Sequence, residues 1–297
     1  MIEMSQLSKT FRGGRGIFDI TLSIEKGEVF GYLGPNGSGK STTIRCLMGF
    51  LRPDQGTVRI SDRDPWTQAK TLHQIIGYLP GDVALPENMT GSQFLGWMRR
   101  LREPANPLWS GRLLDRFDLK PEPLIRHMSK GTRQKLALVA AFAHDPDILI
   151  LDEPTSGLDP LMQQTFIQWL REERDRGKTI LLSSHQFAEV DRTCHRVGFL
   201  KEGRLVAKDS IQHLRQQVRQ VFEIRLSNPA DLRALPGPDC EVVKVDDWTA
   251  TITVHGSVDP LLKRLAAISV HSLREQTEEL ENTFLELYRH DEGEVEA

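Results

Sequence analysis

No apolar run in this 297-residue chain approaches the roughly 20 residues that a membrane-spanning helix needs. The first residues, Met1-Ile2-Glu3-Met4-Ser5-Gln6, lack the apolar core of a secretory leader. Work at a membrane would therefore have to pass through a partner. A surplus of positive charge is missing too. With 38 Lys and Arg against 41 Asp and Glu the net charge is −3, which argues against a broad nucleic-acid surface. Cysteine is sparse: Cys46, Cys194 and Cys240 stand far apart in no metal-ligand spacing, a usage that suits a reducing compartment. What remains is an ordinary globular composition, long enough for one large domain or two of usual size.

Against that background one segment stands out, Gly34-Pro35-Asn36-Gly37-Ser38-Gly39-Lys40-Ser41-Thr42. It fits the pattern G-x-x-x-x-G-K-[ST], in which glycines let backbone N–H groups wrap a phosphate and a lysine reaches its terminal oxygens. Glu28 to Leu33 reads as a buried strand entering the loop, and Ser41 to Met48 as the helix leaving it. A glycine turn with a stray lysine would not come with that strand–loop–helix frame.

The first 30 residues alternate as strands, with Gly13-Gly14-Arg15-Gly16 as a turn. Residues 56–60 and 74–80 read as further strands, and about 90–145 as helical, interrupted by prolines 104, 107, 121 and 123. Three apolar runs, 147–152, 179–184 and 197–200, alternate with helical stretches 160–174 and 186–194. Strands apolar on both faces and separated by helices predict a parallel sheet covered on both sides. Near residue 220 the character changes. Strand 222–227, short helix 230–235, strands 240–246 and 248–255, helix 259–268 and strand 270–275 give the βαββαβ order of a ferredoxin-like domain. An amphipathic helix is expected from Leu280 to Arg289, with Phe284, Leu285 and Tyr288 on one face, and then an acidic tail.

Ile148 to Glu153 is an apolar strand ending in two carboxylates. Phosphoryl transfer to water needs a metal to neutralise phosphate charge and a group to position or deprotonate the water. Beside a P-loop, Asp152 suits the metal side and Glu153 the water side.

With these residues in hand the chain resembles the ATP-binding cassette (ABC) family over residues 1 to about 215. The P-loop, the signature-like Met128-Ser129-Lys130-Gly131-Thr132, the strand Ile148 to Glu153, Ser156-Gly157-Leu158-Asp159 and Ser184-His185 follow in the family's order. The resemblance implies ATP and Mg²⁺ as ligands, with Ser41 and Asp152 on the metal and His185 at the γ-phosphate. It implies a head-to-tail homodimer in which Ser129, Lys130 and Gly131 of one subunit face the neighbour's nucleotide and Asp159 lies in the dimer-contact loop. An aromatic residue near the start stacks on adenine in such proteins; Phe11 matches that place, and Phe18 competes. Two positions depart from the family pattern. Pro80-Gly81-Asp82 stands where a glutamine is usual, and Lys130 replaces a signature glycine.

The expected fold is α/β, a P-loop NTPase with a mostly parallel sheet, an N-terminal antiparallel β subdomain, an inserted helical subdomain and a small C-terminal α+β domain. The nucleotide-binding domain is expected over 1–219 and the accessory domain over 220–297. The C-terminal segment Asn282 to Tyr288 looks like that of cassette subunits from drug, antibiotic and sodium exporters. The expected protein is therefore a cytoplasmic ATPase, peripheral to the inner face of the membrane and paired with a separate integral membrane permease. The rival reading is a soluble cassette ATPase acting on ribosomes, DNA or cofactor assembly. Its usual marks, two cassettes in one chain or a long coiled-coil insertion, are not in this sequence.

Overall fold

The computed structural model describes residues 1–101, 107–217, 220–237, 240–246, 248–254 and 257–276. The expected helix 280–289 and the acidic tail lie outside the described residues. The chain divides into two compact units, Met1–Ile211 and Gln212–Ala297.

The first unit begins with β1 (Ile2–Thr10) and β2 (Gly16–Ile24), antiparallel partners joined across the glycine-rich turn. There follow β3 (Val29–Leu33), α1 (Lys40–Leu47), β4 (Gln55–Ile60), α2 (Ala69–Ile75) and β5 (Ile76–Leu79). Strand β4 pairs with β1, which completes a three-stranded antiparallel sheet. The strand expected over 74–80 is shorter than its apolar run: Gln74 and Ile75 belong to α2, and only Ile76 to Leu79 joins the sheet. Periodicity alone does not separate a short apolar strand from the last turn of a helix running into it.

The helical region holds α3 (Gly91–Leu101), α4 (Pro107–Arg116) and α5 (Lys130–Phe142). Thr90 and Gln93 form a reciprocal capping box at the start of α3: the Gln93 N–H donates to Thr90 Oγ1, and the Thr90 N–H to Gln93 Oε1. Pro107 opens α4, where its missing N–H costs nothing, and Pro121 and Pro123 lie in the connection to α5.

The remainder of the unit is β6 (Ile148–Asp152), α6 (Pro160–Asp175), β7 (Thr179–Ser184), α7 (Phe187–Thr193), β8 (Arg196–Lys201) and β9 (Arg204–Ser210). They build a six-stranded sheet in the order β5-β6-β7-β3-β8-β9, parallel from β5 to β8, with β9 antiparallel at one edge. Every residue of β3, β6 and β7 is buried, as helices on both faces require. Strand β9 is not among the elements expected from sequence. It returns from β8 through the two-residue turn Glu202-Gly203, whose φ values of 49° and 80° are those of a type I′ hairpin.

The second unit contains most of α8 (Ile211–Gln217), then β10 (Gln220–Leu226), a 3₁₀ turn (Pro229–Ala234), β11 (Cys240–Asp246), β12 (Thr249–Val254), α9 (Asp259–Leu265) and β13 (Val270–Gln276). Its sheet order, β11-β12-β10-β13 and antiparallel throughout, is that of a ferredoxin-like fold. The first crossover is a 3₁₀ turn rather than the expected α-helix, opened by Pro229 and capped by the Asn228 side chain. Phe222, Ile224, Ile252, Val254 and Leu261 make a core of its own.

Because β7 lies between β6 and β3, its packing holds the central sheet together. Leu181 is fully buried there, so Leu181→Ala should cost about 2–5 kcal/mol through lost contacts and a residual cavity. A chemical-denaturation midpoint left unshifted would show that β7 is not the packed centre of the unit.

Candidate functional site

Strands β3, β6 and β7 end side by side, with Leu33 opposite Ser184 and Asp152 opposite Ser183. Parallel sheets place ligands at this carboxyl end, and here the chain leaves β3 into the P-loop. Gly39 caps α1 with φ of 110°, a left-handed conformation that glycine alone adopts without strain. The β8–β9 hairpin, which sequence did not predict, supports the loop through the Gly203 N–H, which donates to the Ser38 carbonyl, and the end of β7 holds it through the Ser184 carbonyl, which accepts from the Gly34 N–H.

Lys40 is buried, and its ammonium donates to the Gly34 and Pro35 carbonyls at 2.6 and 3.2 Å. Its third direction meets Glu153, with Nζ 3.2 Å from Oε1. The second carboxylate oxygen, Oε2, accepts from His185 Nδ1 at 2.6 Å. Glu153 therefore joins the P-loop lysine to the histidine after β7. Its own backbone sits at φ 48°, held by an N–H bond to the Ser183 carbonyl. Oε1 is buried and accepts no hydrogen bond beyond its ion-pair contact with Lys40.

A cleft of about 220 Å³ opens here, lined by Phe11, Arg15, Gly16, Asn36, Gly37, Gly39, Lys40, Ser41, Thr42 and Glu153. Between the two aromatic candidates, Phe11 lines the cleft and is 43% exposed, whereas Phe18 has the Arg204 guanidinium over its ring at 5.4 Å. Arg15 and Gly16 reach the cleft as well. Sequence reading placed them in a turn and attached no ligand role to them. Asp152 is buried beside the cleft, with Ser183 donating to Oδ1.

A family model described as ABC transporter matches residues 17–156. The Nod factor export ATP-binding protein I of Sinorhizobium fredii is 33% identical over 299 residues, covering 96% of this chain and 85% of that protein. The daunorubicin/doxorubicin resistance ATP-binding protein DrrA of Streptomyces peucetius is 33% identical over 268 residues, covering 87% and 78%. A solved ATP-binding subunit of an ABC transporter, 30% identical, superposes with a TM-score of 0.67 over 73% of this chain and 92% of that one. This chain is an ABC transporter ATP-binding subunit. The family is one of ATPases, and ATP is the nucleotide it binds.

The signature segment of this cassette opens α5. Ser129 is the N-cap, accepting from the Thr132 N–H at 3.1 Å, and stands exposed at the helix start. The helix is fixed to the turn after Glu153 because Gln134 Nε2 donates to the Pro154 carbonyl at 2.9 Å. Gly131 lies so close to that turn that a Cβ would meet the Gly157 carbonyl at 2.9 Å. Lys130 runs its stem along Gly157, with carbons 3.3 Å from where a Cβ would stand there. Asp159 caps α6 by accepting from the Met162 N–H, so its carboxylate already has a structural task. Ser129, Lys130, Gly131 and Asp159 are not among the residues that line the cleft.

Gly81 is packed against Asp152: a Cβ there would sit 3.1 Å from Oδ2. A side chain at this position would require the Asp152 carboxylate to give way by a few tenths of an ångström. Asp82 is exposed.

One buried residue near the site went unnoticed in the sequence. Glu189 on α7 is 5% exposed; its Oε2 accepts from Ser184 Oγ at 2.6 Å and from Thr155 Oγ1 at 3.4 Å. Burial pushes its carboxyl up to about 7; the nearby Glu153 charge adds to this, and the Ser184 and Thr155 bonds and His185 oppose it. A carboxyl raised on folding contributes stability below the ordinary carboxylate range, and that contribution is lost as pH rises through about 7. Glu189→Gln removes the titration. Its melting temperature relative to the parent should therefore be higher at pH 8 than at pH 5. An equal difference at both pH values would mean that Glu189 does not titrate in this window.

Proposed function

We propose that this chain is the ATP-hydrolysing subunit of an ABC exporter, coupling a head-to-tail pair of nucleotide-binding units to a separate membrane permease. The observation that carries the reading is the Glu153 carboxylate, shared between Lys40 and His185 at the mouth of a cleft lined by the P-loop and Phe11. Phe11 stacks on the base, and the backbone from Gly34 to Gly39 with Lys40 holds the phosphates. Glu153 takes a proton from the attacking water as its oxygen bonds to the γ-phosphorus. The bond to the bridging oxygen breaks, and ADP and phosphate leave. His185 contacts the γ-phosphate and, through Oε2, keeps Glu153 aimed at the water.

The Ser41 hydroxyl and the Asp152 carboxylate are hard oxygen donors. They suit Mg²⁺, which takes one or two protein oxygens and fills its shell with phosphate and water. When bound, the ion would neutralise phosphate charge. With Gly81 offering no side chain, water would fill the place of a donor from that position.

Ser129, Lys130 and Gly131 serve the nucleotide of the other subunit, and Asp159 lies at the contact between subunits. The exposed position of Ser129 at a helix start supports this, since such a start offers donors to an anion. The names of the whole-length relatives, an export protein and a drug-resistance protein, support the export reading. Among the described residues no helix is long and apolar enough to cross a membrane, so the permease would be another chain and this one would work at the cytoplasmic membrane face. The C-terminal unit acts as an accessory domain, and no nucleic acid takes part.

Glu153→Gln keeps shape and removes basicity. Turnover should fall by about 10²-fold or more while ATP still binds. Lys40→Ala should weaken binding itself. A Glu153→Gln protein hydrolysing ATP at the parent rate would remove Glu153 as the base.

The permease would dock beside Gly81–Asp82 and α3. Of the apolar residues there, Phe94 is buried, Met89, Leu95 and Met98 are half-buried, and Trp97 is exposed and free to meet a partner. The tagged protein, purified from gently solubilised membranes, should bring a multi-helix membrane protein with it. Trp97→Glu should lose that partner and keep ATP binding. Recovery with ribosomes or nucleic acid alone would favour the soluble rival.

A further inference from the structure

We propose that Glu189 is a positioning residue for hydrolysis, a clamp holding the segment that carries His185 to the turn that follows Glu153. The inference rests on the roles given above to Glu153 and His185. One oxygen of one buried carboxyl reaches both segments: Ser184 Oγ donates to Oε2 at 2.6 Å, and Thr155 Oγ1 donates to the same atom at 3.4 Å. Ser184 immediately precedes His185, and Thr155 follows Glu153 by two residues. Ser184 is itself a junction. Its Oγ accepts from the Gln186 N–H at 3.0 Å and shapes the turn on which His185 stands, and its carbonyl accepts from the Gly34 N–H of the P-loop.

The clamp is aimed by packing. A Cβ on Gly31 of β3 would meet Val190 Cγ1 at 2.3 Å and Cys194 Sγ at 3.1 Å, so α7 lies against the sheet as closely as a glycine permits. The residue before Val190 is thereby directed inward at the loop. Glu189 does not line the cleft, so it acts through its neighbours and not on the nucleotide.

A carboxyl at this place needs a reason. Burying it costs free energy, and its Oε1 has no hydrogen-bond partner. The Ser184 and Thr155 hydroxyls are both buried; Glu189 accepts from Thr155 and is the nearer acceptor of Ser184, at 2.6 Å against 3.4 Å for the Gln186 carbonyl, and an apolar side chain could not take its place. His185 is 46% exposed on its side chain, and its ring is fixed by the bond to Glu153. Its place relative to Glu153 thus depends on how Ser184 is held relative to Thr155, which is what the shared oxygen does.

Glu189→Met fills similar space and accepts no strong hydrogen bond. Glu189→Gln keeps a carbonyl oxygen for both hydroxyls and puts an amide nitrogen where Oε1 is unpartnered. ATPase kinetics and equilibrium ATP binding are measured on the full chain, well below each variant's melting temperature, with Glu153→Gln alongside. For Glu189→Met we expect kcat lowered at least about tenfold with ATP affinity within about twofold, the pattern of a lost transition-state arrangement. Glu189→Gln should keep about half or more of the parent kcat, and adding Thr155→Val to Glu189→Met should cost less than the product of the two effects. A merely structural residue would shift melting temperature and leave kcat alone.

Parent-like turnover in Glu189→Met beside an inactive Glu153→Gln overturns the clamp and leaves the base assignment standing. Equal losses in the Met and Gln variants overturn it as well, because charge rather than hydrogen-bond acceptance would then be what matters. An active Glu153→Gln overturns both. If Glu189→Met does not fold, Ser184→Ala and Thr155→Val decide: lowered kcat with intact binding supports the clamp, and unchanged kcat in both rejects it.

Discussion

The site is organised around a carboxylate whose two oxygens are committed to different parts of the chain. Glu153 gives Oε1 to the P-loop lysine and Oε2 to His185. For both to be within reach, β3, β6 and β7 must end in register, and that registry comes from a buried parallel ladder rather than from the site itself. The left-handed φ at Glu153 is part of the same constraint. A non-glycine residue there carries strain of order 1–3 kcal/mol, which persists only because the surrounding structure over-determines it. The Glu153 N–H bond to Ser183 and the Gln134 bond to Pro154 supply that determination on either side of the turn.

From this follows a division of labour among the helices. Helix α1 carries the lysine, α5 is tied to the turn after Glu153, and α7 backs the histidine segment. Each meets the sheet or the turn through a glycine or a buried polar bond rather than through apolar contact alone. Apolar packing fixes the distance between a helix and a sheet but tolerates sliding along the interface. A hydrogen bond from a specific side chain to a specific carbonyl or carboxyl does not. Sub-ångström placement of reacting groups therefore depends on the polar bonds, and the buried strands supply the stability that lets those bonds be afforded.

The motifs were legible because each is a local pattern with a local cause. A phosphate loop needs glycines beside a lysine, a buried strand reads as continuous apolar sequence, and Asp159-Pro160 opens a helix in the usual way. The strand order of the second unit and its second helix were legible for the same reason, whereas its first crossover is a 3₁₀ turn. What escaped was decided by packing or by weak signals. The β8–β9 hairpin has Glu202-Gly203 in place of the stronger Asn-Gly or Asp-Gly, and β9 mixes Arg, Lys and Asp into its run. The apolar Ile75 was drawn into a strand although it ends α2. Phe11 and Phe18 look alike as letters, and only the fold sends one to the cleft and the other beneath Arg204. Glu189 gave no signal at all, because a glutamate on a short amphipathic helix reads as solvent-facing.

The two departures from the family pattern lie at different places near the end of β6, one beside Asp152 and one beside Gly157, and they change the local electrostatics in different ways. At Gly81 there is no side chain beside Asp152, where a Cβ would stand 3.1 Å from Oδ2, so this position offers the carboxylate no side-chain donor. At Lys130 a cation is added, and its stem is laid along Gly157, in the proposed contact loop that begins three residues after Glu153. A neutral donor is absent beside the proposed metal ligand, and a positive charge is present beside the proposed partner site. Charge–charge interactions extend farther than hydrogen bonds and weaken with salt, whereas an amide acts only at contact distance. Closure of the proposed pair would on this account rest more on long-range attraction of Lys130 to the partner's phosphates than on a contact at Gly81. The cassette would remain the same machine, with part of its coupling moved from a hydrogen bond within one subunit to a charge between two.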